Sequence, residues 1–444
     1  MLTQDRDRFF LFSYFLFLIV AGSALLYLPA AWRGPTRLRY VDALFTSTSA
    51  VCVTGLTSVD TSLYSPFGHL VIMLLIQFGG LGIITFMTLY FVARRGKMSL
   101  VNRKLIGDYF LESVGHNPSS IMRKVLAFTA AIELAGSLIL YTVFRRTVPE
   151  RPYFTALFHA VSAFCNAGFS VFSTNLEDYV ANPTVNLCVA ALIVLGGLGF
   201  VVHEDLLERL LGRTRRLSVH TRLVLGVSGA LILLGLVAFL ALEWDTAFRG
   251  LRPLVKIQAA LFASVTPRTA GFDTVLPSEF SLPSRFMTMI LMYVGASPAS
   301  TGGGIKTTTF FIVLIMVIRG GAAREDIRVF RRKVSPASVS RAMVYALRAL
   351  AVVAAATLAL TVTEVFARGG SDPLFVQVVY EVLSAFGTVG LTLGLTPRLS
   401  DVGKMVIVLT MIVGRVGMAA VAMSASRRLP RRVVDVPEEE VLVG

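Results

Sequence analysis

The stretch Ala43-Leu44-Phe45-Thr46-Ser47-Thr48-Ser49-Ala50-Val51-Cys52-Val53-Thr54-Gly55-Leu56 is a run of small and apolar residues that closes on a glycine. It returns three times. Ala156-Leu157-Phe158 leads through Ser162-Ala163-Phe164-Cys165 to Asn166-Ala167-Gly168-Phe169. Ala260-Leu261-Phe262 leads to Thr266-Pro267-Arg268-Thr269-Ala270-Gly271-Phe272. Glu381 leads through Ser384-Ala385-Phe386-Gly387 to Thr388-Val389-Gly390-Leu391. The closing glycines stand 113, 103 and 119 residues apart. Self-similarity at a roughly fixed period is the mark of a repeat architecture.

Around these stretches the chain is strongly apolar. Of 444 residues, 55% are hydrophobic and 16% charged, against about 25% charged in a soluble domain. That excludes disorder and an ordinary cytosolic enzyme and predicts an all-α polytopic membrane protein. An outer-membrane barrel would need alternating spans, and these runs are continuous. Spans are predicted near Phe9–Pro29, Phe67–Ala93, Val125–Phe144, Thr184–Val202, Leu223–Leu242, Phe286–Ile318 (interrupted), Met343–Phe366 and Val402–Met423. The expected architecture is eight transmembrane helices in four pseudo-repeats of span, pore helix with filter loop, and span, around a central pore. The repeats read as 1–93, 94–205, 206–318 and 319–444, with cytoplasmic linkers and tail.

Orientation follows from Lys and Arg. Arg94–Lys124 holds seven basic residues, Arg209–Arg222 five, Arg319–Arg341 seven, and Arg427, Arg428, Arg431 and Arg432 lie in the tail. Both termini are therefore expected in the cytoplasm of a bacterial inner membrane. Topology also accounts for the net charge of +15, so no nucleic-acid partner is expected. Cys52, Cys165 and Cys188 are odd in number and lie in apolar surroundings, which favours small buried residues over a disulfide or metal site.

Non-helical backbone at membrane depth is tolerated where it lines a cavity. Four such segments meeting at one axis can aim carbonyl oxygens at a dehydrated monovalent cation. Glycine permits the positive φ and close approach this needs, and the carboxyl ends of short pore helices favour a cation.

Thr54-Gly55-Leu56, Asn166-Ala167-Gly168-Phe169, Thr269-Ala270-Gly271-Phe272 and Thr388-Val389-Gly390-Leu391 resemble the four selectivity-filter segments of the Trk/Ktr/HKT superfamily of potassium transporters. Gly295-Ala296-Ser297-Pro298-Ala299-Ser300-Thr301-Gly302-Gly303-Gly304-Ile305-Lys306-Thr307-Thr308-Thr309 resembles the intramembrane gating loop of its Trk and Ktr branches, and Gly414-Arg415-Val416-Gly417 the arginine motif of their last helix. Met418-Ala419 stands where that motif often continues Pro-Leu, and the loop begins Gly-Ala where Gly-Gly is common. Eight spans without extra amino-terminal helices are most similar to KtrB, the membrane subunit of bacterial Ktr uptake systems.

The resemblance implies a K+ filter at Val53, Thr54, Gly55, Asn166, Ala167, Gly168, Thr269, Ala270, Gly271, Thr388, Val389 and Gly390. It implies a gate at Gly295, Ser297, Pro298, Ser300, Thr301, Gly302, Gly303, Gly304, Lys306 and Arg415. It also implies a homodimer in the lipid bilayer on a cytosolic KtrA-like ring that binds ATP or ADP, with K+ as cargo and no organic cofactor in this chain. Relatives with serine for the first filter glycine favour sodium, so Gly55 implies potassium. Relatives also leave sodium stimulation of the uptake open; a Trk-type or weakly selective K+/Na+ pathway and a secondary transporter of an organic solute are the alternatives.

Other residues read as follows. Three glycines and a proline in Ser297–Gly304 oppose a helix, since each glycine costs about 1 kcal/mol and proline about 3. Lys306 does not complete a P-loop, because Ile305 precedes it. Thr54, Thr269 and Thr388 are expected to offer hydroxyls to the ion or to brace the loop. Arg415 is expected to repel cations or hold the gating loop. Gly79-Gly80-Leu81-Gly82 and Gly196-Gly197-Leu198-Gly199 are expected in mid-helix. Glu133 is expected in a structural hydrogen bond, and Glu364 as a proton relay or ion-pair member. Asp273 is either an outer-mouth attractor or a solvated carboxylate, and His203-Glu204-Asp205 is expected to be solvated. Ser99–Ser113 reads as an interfacial helix or docking surface. No clustered nucleophile, base or metal ligands point to an enzyme.

Overall fold

The structure is a computed structural model that describes residues 2–82, 118–214, 216–319, 328–330, 332–367 and 375–417. Ser99–Ser113, Met418-Ala419 and the basic and acidic tail lie outside these residues.

One order of helices recurs four times. The first set is α1 (Leu2–Leu26), α2 (Tyr40–Val51) and α3 (Pro66–Gly80). The second is α4 (Pro118–Thr147), α5 (Pro152–Phe164) and α6 (Pro183–Leu198), followed by α7 (Phe200–Leu210). The third is α8 (Val219–Glu243), α9 (Pro253–Val265), α10 (Leu282–Tyr293) and α11 (Thr307–Arg319). The fourth is α12 (Pro336–Ala367), α13 (Phe375–Gly387) and α14 (Asp401–Ile412), which runs into a π-helical turn, Val413–Gly417. Arg328–Val329 and Arg332–Lys333 form a two-stranded antiparallel hairpin in the linker, an element the sequence reading did not expect.

The third helix of each set packs on the short helix of the next: α3 on α5, α6 on α9, α10 on α13, and α14 back on α2. The arrangement is therefore a closed ring. Proline occupies the first turn of α3, α5, α6, α9 and α10, where its missing N–H costs nothing. Ser65, Asn182, Ser218 and Ser400 cap free N–H groups of α3, α6, α8 and α14. Two acids reinforce such starts from a neighbouring helix. Glu243 accepts from Ser281 N and Oγ at 2.9 and 2.6 Å, and Glu364 accepts from Ser400 N and Oγ at 3.0 and 2.8 Å. Glu364 thus braces a helix start through hydrogen bonds.

Burial is inverted relative to a soluble protein. Leu233, Leu234, Val237, Leu347 and Leu358 are exposed, while Ser47, Ser49, Ser162, Ser384, Thr269 and Thr388 are fully buried. An apolar exterior of this kind suits a hydrocarbon solvent, and the chain is a multi-pass membrane protein. Arg123–Thr147, Val219–Glu243 and Pro336–Ala367 are each long and apolar enough to cross a bilayer, and α6 with α7 would make a fourth, bent by 101°.

The glycine clusters do not sit in mid-helix. Helix α3 ends at Gly80, and α6 ends at Leu198 with Gly199 at φ +90°. Their function is close approach. A Cβ on Gly79, Gly196 or Gly414 would lie under 3.0 Å from the carbonyl oxygen of Val51, Phe164 or Phe386 respectively. The third helices thus press against the carboxyl ends of the short helices because no side chain intervenes.

Candidate functional site

The four glycine turns meet. A Cβ on Gly55 would strike Ala167 O; on Gly168, Ala270 O; on Gly271, Val389 O; on Gly390, Thr54 O, each under 3.0 Å. Each glycine abuts the carbonyl that precedes the glycine of the next set, and the fourth returns to the first. Four backbone carbonyls therefore share one level of a closed ring.

The backbone of the four turns is alike. The glycines have φ of +92°, +68°, +76° and +99°, and the residues two before them, Val53, Asn166, Thr269 and Thr388, have φ of 56°, 58°, 73° and 49°. The residues between keep negative φ. Alternating the sign of φ turns successive carbonyls toward the same side, and positive φ on a β-branched residue is strained. Such strain persists where surroundings over-determine it and concentrates at functional sites.

Hydroxyls supply part of that support. Ser49 Oγ accepts from Gly55 N and Ser384 Oγ from Gly390 N, both at 3.0 Å. Ser162 Oγ donates to Phe169 O at 2.8 Å and Thr266 Oγ1 to Phe272 O at 2.5 Å. The signal in the sequence for these residues is a serine six positions before three of the four glycines.

The three threonines named from sequence are not equivalent. Thr54 immediately precedes its glycine, and its hydroxyl has no hydrogen-bond partner among the described residues. Thr269 and Thr388 stand two before theirs. The Thr269 hydroxyl meets the Asn166 amide at 3.1 Å, and Thr388 Oγ1 accepts from Gly303 N at 3.0 Å. The Thr388 hydroxyl braces the backbone of another segment, and the Thr269 hydroxyl ties the second turn to the third.

Gly303 belongs to the segment that breaks the chain between α10 and α11. Val294 and Ile305 form a parallel bridge that pinches its ends. Its interior packs on the second set: Ser297 N donates to Gly197 O at 3.0 Å, Thr301 Oγ1 to Gly196 O at 3.2 Å, and Phe200 N to Ala299 O at 3.1 Å. A Cβ on Gly302 would strike Thr269 Oγ1, and one on Gly303 Thr388 Oγ1. The segment thus contacts the residues two before the glycine in the third and fourth turns. Gly295 likewise faces Gly303 and Gly304. Ser300 Oγ donates to Ser297 O at 2.6 Å, and the Pro298 carbonyl fills the space where Gly199 lacks a side chain.

Two cations hold it. Lys306 Nζ donates to Gly302 O at 2.7 Å. Arg415, 4% exposed, donates to Gly79 O and Gly80 O at 2.9 and 3.2 Å and to Thr301 O. Backbone carbonyls accept from both side chains.

Glu133 accepts from Gln77 Nε2 at 3.2 Å and faces Cys165 Sγ at 3.8 Å, the structural hydrogen bond expected of it. Cys52 and Cys165 are buried, and Cys188 is half-buried; all three are free thiols. His203 is buried, with Nε2 2.7 Å from Leu195 O, and Asp205 accepts from Ser218 N at 2.8 Å. Only Glu204 of that trio is solvated, in an exposed pair with Lys124. Asp273 is half-buried, its backbone oxygen accepts from Leu176 N at 3.1 Å, and its Oδ1 has no hydrogen-bond partner. Burial, with Glu177 nearby, pushes its carboxyl up to about 8. It is not a freely solvated carboxylate. No group of three potential metal-ligating side chains occurs among the described residues.

Residues 13–434 match the family described as TrkH, cation transport protein. The chain belongs to the TrkH family. This TrkH-family chain is 37% identical to the Ktr system potassium uptake protein B of Bacillus subtilis (strain 168), over 97% of this chain and 95% of that one. It is 36% identical to the potassium/sodium uptake protein NtpJ of Enterococcus hirae, over 97% and 95%. Its fold is similar to the crystal structure of the potassium transporter TrkH from Vibrio parahaemolyticus, with a TM-score of 0.75 at 19% identity, over 96% of this chain and 86% of that one. Membership of the TrkH family makes it a transport protein and not an enzyme.

Proposed function

We propose that this chain is the potassium-conducting membrane subunit of a Ktr-type uptake system. The observation that carries the reading is the closed ring in which each glycine turn abuts the carbonyl of the next. Four inward carbonyls at one level replace the hydration shell of a monovalent cation. On this reading the twelve residues at Val53–Gly55, Asn166–Gly168, Thr269–Gly271 and Thr388–Gly390 are the filter. The chain crosses the membrane eight times, in four repeats at 1–93, 94–205, 206–318 and 319–444. Only one glycine per repeat lies in each filter core, so discrimination is looser than in a potassium channel.

The segment from Gly295 to Lys306 is the gate. It lies against the filter base and is held by Arg415. Both termini face the cytoplasm of a bacterial inner membrane, and an inside-negative potential of 100 mV contributes about 2.3 kcal/mol per charge toward uptake. The names of relatives identical at 33–37% over nearly the whole chain support potassium as cargo. On this reading, and by the resemblance of its motifs to the Ktr branch, the chain forms a homodimer on a KtrA-like ring binding ATP or ADP. One relative is named for potassium and sodium, which favours testing both ions.

The test is cation flux into liposomes holding the purified chain under K+ or Na+ gradients. K+ flux that Na+ competes for poorly is expected. Equal fluxes would replace the selective reading with a weak K+/Na+ filter. Absence of cation flux, alone and with a cytosolic ring added, would reject the function.

A further inference from the structure

The carboxyl ends of the four short helices differ in one residue. Three positions before the glycines stand Cys52, Cys165, Arg268 and Gly387. Three are uncharged side chains or none, and the third is an arginine. Arg268 is 9% exposed. Its guanidinium donates to Ser228 Oγ at 3.0 Å and to Ser228 O at 3.4 Å, on α8, while its Nε has no partner. No carboxylate lies within ion-pair distance of it among the described residues. In the second set, Cys165 at the equivalent place faces Glu133 on the corresponding helix α4; α8 presents a serine instead.

A buried charge without a counter-charge is costly. The partial negative charge at the end of a helix attracts cations. At α2 and α5 that charge lies in the field of Arg415, which sits near Cys52 and Cys165. At α9 it is shared with Arg268, whose backbone N also donates to Val265 O at 3.2 Å. Three residues of chain reach at most about 11 Å, so the Arg268 backbone lies close to the ring, while its guanidinium extends to Ser228 on α8. A fixed positive charge raises the energy of a divalent ion twice as much as that of a monovalent one.

We infer that Arg268 is a specificity-determining residue. Its uncompensated charge weakens the field of the third turn, so that the ring holds monovalent cations loosely and rejects divalent ones. This inference rests on the reading of the ring as a cation site. It adds the discrimination by valence, which neither carbonyl geometry nor ring size provides.

The test titrates the purified full chain with KCl and, separately, with BaCl2, a divalent ion close to K+ in size. Thermal unfolding reads the half-saturating concentrations, since a ligand bound only by the folded state stabilises it. R268K is expected to match wild type. R268M is expected to lower the half-saturating K+ concentration about tenfold and that of Ba2+ about a hundredfold, the square of the monovalent effect. S228D, which leaves Arg268 in place and gives it a counter-charge, is expected to shift both in the same direction and decides the matter if R268M does not fold. Unmoved values in a folded variant, or equal fold-changes for both ions, would show that Arg268 is only a brace between α9 and α8. Those results overturn the valence role alone. A wild-type chain that neither ion stabilises overturns this inference together with the cation-site reading.

Discussion

Lys404 Nζ lies 2.6 Å from Asp42 Oδ1, and both side chains are buried. Residues 362 positions apart thereby join α14 to α2, the contact that closes the ring. Ser58 Oγ donates to the same oxygen at 2.8 Å, and Arg39 bridges Asp42 Oδ2 and Asp401 at 3.1 and 2.7 Å. Removing one member of a buried pair costs about 3–5 kcal/mol, whereas replacing both with apolar residues is often neutral. K404M should therefore lose about that much stability in denaturant unfolding, and D42L/K404M should recover most of it. A K404M loss below about 1 kcal/mol would mean that Arg39 and Ser58 already satisfy Asp42.

The ring makes a sharp contrast between glycines of like conformation. Gly271 (φ +76°) faces Val389 O, whereas Gly394 (φ +82°) has nothing within 4 Å of a built Cβ. G271A should abolish cation flux because the carbonyl must move. G394A should keep flux and lose about 1 kcal/mol of stability from backbone strain. Equal flux in the two variants would separate the ring from conduction.

Shortening the gate should open the path. Deletion of Ser297–Gly303 removes the segment lying on Thr269 and Thr388, and R415Q removes the guanidinium that holds Thr301 O. Both are expected to raise K+ flux in liposomes severalfold, the deletion more. Unchanged flux in a correctly folded deletion would assign the segment to packing.

The serine hydroxyls behind the turns should matter for selectivity before stability. S49A and S384A each free one glycine N–H, at about 1 kcal/mol per hydrogen bond. The K+/Na+ flux ratio is expected to fall in both, most in the double variant, with total flux retained. An unchanged ratio would show that the turn holds its shape without them.

Asp273 ties a loop to pH. Burial raises its carboxyl from 3.8 to about 8, so the folded chain binds its proton more tightly than the unfolded chain. Its contribution is full below about pH 4 and is lost as pH rises to about 8. D273N should therefore flatten the fall in melting temperature between pH 5 and pH 8. Parallel profiles for wild type and D273N would refute the shifted carboxyl.

Much of this was legible in the residues. The repeat at Gly55, Gly168, Gly271 and Gly390, the broken stretch around Gly302-Gly303-Gly304 and the charge of Arg415 each violate what an apolar helix tolerates, and such violations stand out without coordinates. Membrane class follows from local composition, a property that neighbours in sequence carry by themselves. Which atoms meet was decided only by tertiary structure. The pairing of Asp42 with Lys404, the burial of His203 and the division of labour between Thr54 and Thr388 depend on contacts between distant segments. So did the purpose of Gly79 and Gly196. A glycine has no side chain to announce its partner, and the carbonyl it admits belongs to another helix.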